Sequence, residues 1–76
     1  RAVRVRIDRP GRAVVSVVRQ GSRTVRAIRR LTGPTRGAVT VRLPRDTRPG
    51  PHRVRVVLIG DGLRDRAVVR LRVPRR

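Results

Sequence analysis

Few residues in this chain are able to do covalent chemistry, and their spacing argues against it. There is one histidine, His52, and the two serines are Ser16 and Ser22. A serine nucleophile needs a base within hydrogen-bond reach. Ser16 lies among valines and Ser22 closes a Gln20-Gly21-Ser22 turn, so neither is expected to meet His52, which reads as a partly exposed residue at the start of a strand. The carboxylates give no better constellation. Asp61 and Asp65 flank Gly62-Leu63-Arg64 without the spacing of a calcium loop, and the chain has no Glu to supply a bidentate ligand. Asp8 and Asp46 each stand beside an arginine and read as turn residues with local charge pairing. Gly60-Asp61-Gly62 lacks the third glycine and the following helix of a phosphate cradle. No catalytic, cofactor-binding or metal-binding residue is assigned, and neither enzyme activity nor a cofactor is expected.

What remains is charge. The 76 residues carry 22 basic side chains against four acidic ones, a net charge of +18, and every basic residue is Arg and every acidic one Asp. Two causes compete. Arg, Ala, Gly, Pro and Val share codons rich in G and C, so a biased genome would place Arg wherever a wet strand position accepts any polar group. Selection for an anionic partner is the other cause, since guanidinium grips phosphate and carboxylate with two parallel hydrogen bonds. The even scatter of Arg along the chain favours the first, because a dedicated patch would cluster. A flat polyanion-binding face is nonetheless readable from alternate strand positions, with Arg4, Arg6, Arg53, Arg55, Arg70 and Arg72 as candidates for holding nucleic acid or acidic glycan without sequence preference. Single-strand readers stack bases on aromatic rings, and this chain has no aromatic residue of the Phe, Trp or Tyr type. Self-repulsion should destabilise the compact state, and salt or a polyanion should relieve it.

The positions of these arginines follow from an alternation with valine, as in Val3-Arg4-Val5-Arg6-Ile7 and Val54-Arg55-Val56. A period of two is that of a strand with one buried face. Strands are predicted over residues 2–7, 12–19, 24–31, 38–43, 52–59 and 66–73. The second is apolar on both faces, which suits a central strand covered on both sides. The third is ambiguous, because Val25, Ile28, Arg29 and Leu31 also fit a short helix at i, i+3 spacing; its Thr and β-branched residues and the short hairpin-like connection favour a strand. Turn chemistry separates the segments at Asp8-Arg9-Pro10-Gly11, Gln20-Gly21-Ser22, residues 32–37 and Gly60-Asp61-Gly62. Residues 44–51, with three prolines and a glycine, read as a long crossover with no central strand in it.

Length and composition bound the rest. The chain is expected to form a single domain over residues 1–76, and a chain of this size buries only about 60% of the surface its unfolded form exposes. With Val as the main apolar residue the core must be thin, and with no cysteine no disulfide can reinforce it. No stretch approaches the ~20 apolar residues of a membrane span, and no segment resembles a secretion signal. Since it begins with Arg, the chain is expected to be a piece of something longer. Six to seven short strands at this spacing predict an all-β, antiparallel sandwich or small barrel.

The order of pieces from Val14 onward resembles a known family. A Val-rich strand, a Gly turn, Thr24-Val25-Arg26-Ala27-Ile28, a strand ending in Leu43-Pro44, the Arg48-Pro49-Gly50 turn and an alternating strand from His52 are similar to the immunoglobulin-like modules of bacterial secreted and cell-surface proteins, among them that of the flagellar hook-capping protein. The family commonly has Tyr after the Pro-Gly turn, where this chain has Pro51-His52. The resemblance implies an antiparallel immunoglobulin-like β-sandwich, an extracellular or cell-surface location, and a spacer or adhesion role whose partners are other domains of the parent protein. It carries over no active site.

Overall fold

The computed structural model describes residues 2–60 and 63–74. Among them are six strands and no helix: β1 (Ala2–Val5), β2 (Gly11–Arg19), β3 (Arg26–Gly33), β4 (Val39–Arg42), β5 (Gly50–Gly60) and β6 (Leu63–Val73). All pairings are antiparallel, in a two-stranded sheet β1-β4 and a four-stranded sheet of order β3-β2-β5-β6. The all-β, antiparallel expectation therefore holds, with β5 and β6 longer than the short strands predicted. The Gly60-Asp61-Gly62 turn reaches outside the described residues.

The valine alternation does what its period implies. Odd-numbered Ala13, Val15 and Val17 of β2 and even-numbered Val54 of β5 turn inward, where they meet Val5 and Ile7 from the β1 side and Val41 and Leu43 from the β4 side in one buried core. Val15, Val41 and Val54 are the largest of its fully buried side chains. A core built of such small residues removes little area per residue from water, about 0.8 kcal/mol for each buried methylene.

Three segments differ from the sequence expectation, each for a physical reason. β2 is central as predicted, but a second layer covers only one of its faces; Val14 and Val18 on the other are half-buried between cross-strand neighbours that include Arg30 and Arg53, whose aliphatic stems can shelter them. In β3 the ladder passes from Val15↔Arg29 to Ser16↔Ala27 and skips Ile28. This bulge adds a residue to one strand, so Ile28 and Leu31, three apart, both pack against the core. The Ile28–Leu31 part of the helical spacing is a bulge signature, while Val25 precedes the strand and is exposed. Finally, β5 starts inside the proline-rich crossover, at Gly50-Pro51, which pair with Val73 and Arg72 of β6 before β2 joins at His52. Proline is tolerated at a strand's first positions because the ladder bonds its missing N–H would make are few there.

Chain crossings between the layers need close approach. Residues after β1 pass over the end of the larger sheet, where a Cβ on Gly33 would meet the Arg9 carbonyl oxygen and Ile7 Cγ2, and one on Gly60 would lie 2.6 Å from the Pro10 carbonyl oxygen. Ile7 N–H donates to Thr35 Oγ1 at 3.0 Å and Thr35 N–H returns to the Ile7 carbonyl at 2.9 Å. After β4, residues 43–49 cross back, tied by Thr47 N–H to the Pro44 carbonyl at 3.0 Å.

Two strands cannot roof four. β4 lies against β3 and β1 faces β5 and β6 across a groove, so the inward side of β6 stays open: Val69 is 48% exposed although its register partner Val54 is fully buried.

Candidate functional site

The outward side of the four-stranded sheet gathers arginines that are scattered in sequence. Strand alternation and the observed register put Arg53 and Arg55 of β5 on that side, with Arg64, Arg66, Arg70 and Arg72 of β6 beside them. Arg12 of β2 and Arg30 of β3 extend the same side. Reading across the strands, Arg12, Ile59 and Arg64 form one row, Arg30, Val14, Val57 and Arg66 the next, then Ser16, Arg55 and Val68, then Val18, Arg53 and Arg70. Rows along a strand repeat about every 6.8 Å and neighbouring strands lie about 4.8 Å apart, so the guanidinium groups stand on a shallow lattice with apolar positions between them. Seven of the eight arginines are exposed and Arg55 is half-buried.

No described carboxylate shares this face. Asp65 is opposite the inward-facing Leu58 and pairs with Arg9 at 3.2 Å, which also lies 3.8 Å from Asp8; Asp46 receives both of its bonds from Arg26 Nη1, at 3.0 and 3.1 Å. The eight face arginines take part in none of these ion pairs. Arg53 and Arg70 face each other directly across the β5–β6 ladder, a like-charge arrangement that costs stability unless an anion sits between or above them.

The six sequence candidates therefore separate. Arg53, Arg55, Arg70 and Arg72 come together. Arg4 alternates with the inward Val3 and Val5 of β1, and Arg6 follows with the same parity, so both leave the smaller sheet on the opposite side of the molecule. Arg12, Arg30, Arg64 and Arg66 were missed. Their parity was readable within each strand, but membership of one face required the pairing register and the extension of β6 back to Leu63.

The catalytic candidates stay apart. Ser16 is opposite Arg55 on the outward side, whereas His52 points inward and is buried, against the expectation of a partly exposed ring. Its Nδ1 lies 2.9 Å from the Gly50 carbonyl; a carbonyl only accepts, so Nδ1 carries the proton and donates. Ser22 Oγ accepts the Thr24 N–H at 3.1 Å and so closes its own turn. Among the described residues no three His, Asp or Glu side chains converge as metal ligands, and no helix is long and apolar enough to cross a membrane. Asp61 of the Asp61–Asp65 pair lies outside the described residues.

A search of protein-family models, of curated proteins and of solved structures finds no match to this chain.

Proposed function

We propose that the chain is a non-catalytic interaction module, an immunoglobulin-like β-sandwich within a larger exported bacterial protein, whose outward sheet face holds polyanions such as nucleic acid or acidic glycan. One observation carries the polyanion reading: eight arginines lie on one face of the larger sheet and no described carboxylate lies among them. Binding there works through phosphate, sulfate or carboxylate groups and counterion release. With no aromatic ring for base stacking, it reads backbone charge and not base identity.

The test is fluorescence anisotropy with a labelled duplex oligonucleotide and a sulfated oligosaccharide across a salt series. The expected result is a linear fall of log K with log salt, with affinity still measurable at about 150 mM, where the screening length is about 8 Å. Two quadruple variants decide the matter: Arg53, Arg55, Arg70 and Arg72 to Ser against Arg4, Arg36, Arg42 and Arg45 to Ser. Both remove four charges, so bulk attraction predicts equal losses, while a face predicts that only the first abolishes binding. Equal losses would leave the spacer or adhesion role, which the family resemblance supports, as the remaining reading.

A further inference from the structure

The groove beneath β1 is a second surface, independent of the arginine face and on the other side of the larger sheet. Its floor is Val54, Val56 and Leu58 of β5, its far wall Ala67 and Val69 of β6, and its near wall β1 with Ile7. It measures about 230 Å³, and the Arg9–Asp65 pair stands at one end. β1 hydrogen-bonds to β4 along one margin only. Along the other margin, which overlooks the groove, alternate N–H and C=O groups of β1 have no strand to bond among the described residues, as on any sheet edge. The smaller sheet, two strands against four, thus leaves the β6 side of the larger one uncovered.

We infer that this groove accepts one extended segment of a partner protein, alternating apolar and acidic residues, as an added strand alongside β1. Backbone pairing to an open edge with side chains in alternate pockets is a general mode of peptide capture. Strand alternation fixes what the segment must contain. Its inward side chains would fall on Val56, Ala67 and Val69, which calls for aliphatic residues. Its outward side chains would stand beside Arg4 and Arg6, where opposite charge across a strand pair is favourable and like charge is not. That charge demand argues against a second copy of this chain: its own strands alternate valine with arginine, and each copy carries +18. An acidic alternating strand satisfies both sides of the pleat, and it explains why Val69 can remain half exposed in the isolated chain.

The experiment uses the whole chain and a labelled peptide alternating valine and glutamate over the length of β1, against a peptide of the same composition with all valines first. Anisotropy is expected to show at least about tenfold tighter binding of the alternating peptide, the loss of one central contact being worth a factor of this order. Val69→Gln, at a position already open to water, is expected to remove that preference, and Ala67→Leu, which fills the groove, to do so through a second route. Amide exchange should slow in β1 when the alternating peptide is added. The arginine-face quadruple variant should keep the preference, so failure of the polyanion reading and failure of this one are separable. Equal binding of the two peptides would overturn the inference as bulk charge attraction. A concentration-dependent dimer abolished by Val69→Gln would overturn it in favour of self-association.

Discussion

A methyl group added at Gly33 would run into the Arg9 carbonyl oxygen and the Ile7 side chain, whereas one added at Gly21 would meet nothing within 4 Å. The two glycines are required for different reasons. Gly21 sits at φ +85°, where an L residue pays a local cost of about 1–2 kcal/mol. Gly33 is needed because a backbone crosses on top of it, and neither chain segment can move without opening the core at Ile7. Gly33→Ala is therefore expected to destabilise by more than Gly21→Ala, by about 2 kcal/mol or more through overpacking, as read by urea denaturation. Val15→Ala should cost about 2–3 kcal/mol, from two lost methyl groups plus the cavity they leave, because Val15 is fully buried. Arg26→Ala offers the contrast. Its pair with Asp46 has good geometry, but both side chains are mostly exposed, so the expected loss is under about 1 kcal/mol.

At the level of elements, the β5–β6 hairpin carries an internal conflict. Arg53 and Arg70 sit opposite one another, and Arg72 and Arg55 follow on the same face. Arg70→Glu is expected to raise stability by up to about 1 kcal/mol, by turning a repulsive cross-strand pair into an attractive one. The same change should weaken oligonucleotide binding, and thermal melting read beside anisotropy would show the two moving in opposite directions. These strands also show how far a single sequence reaches. Alternation locates β1, β4, β5 and β6, because burying one face of a pleat forces a period of two whatever the partner; β2, apolar on both faces, and β3 rest instead on β-branched content and flanking turns. Alternation could not say that residues 24–31 would shift to Arg26–Gly33, since a bulge breaks the period where a helix would also break it. Nor could it distinguish Val-Arg alternation in β1 from that in β5: Arg4 and Arg55 look alike in the sequence, yet their sheets face opposite ways. Which arginines share a surface depends on strand pairing, a contact between residues far apart in the chain. The burial of His52 is hidden from the sequence for the same reason, since it comes from joining β5 to β2 at Arg19.

For the molecule as a whole, charge and shape act together. The described residues form a slab of 40 × 25 × 16 Å, thin because two layers of a sheet stack about 10 Å apart. Across so thin a body, charges on opposite faces lie within about two screening lengths of each other at about 150 mM salt. Melting temperature should accordingly rise with sodium chloride and rise further with sulfate or a short polyanion, which both screens and binds the folded state. Circular dichroism should keep a β signature throughout.

Among the described residues the larger sheet ends in two unpaired margins, β3 and β6, and what keeps neighbouring slabs from zipping together there is mutual electrostatic rejection. Any long anion that docks on the outward lattice also cancels that rejection. Occupancy and assembly should then be coupled through stoichiometry: light scattering is expected to climb to a maximum near charge equivalence and to clear again when the anion is in excess, a re-entrant curve that a neutral-edged module of the same fold would not trace.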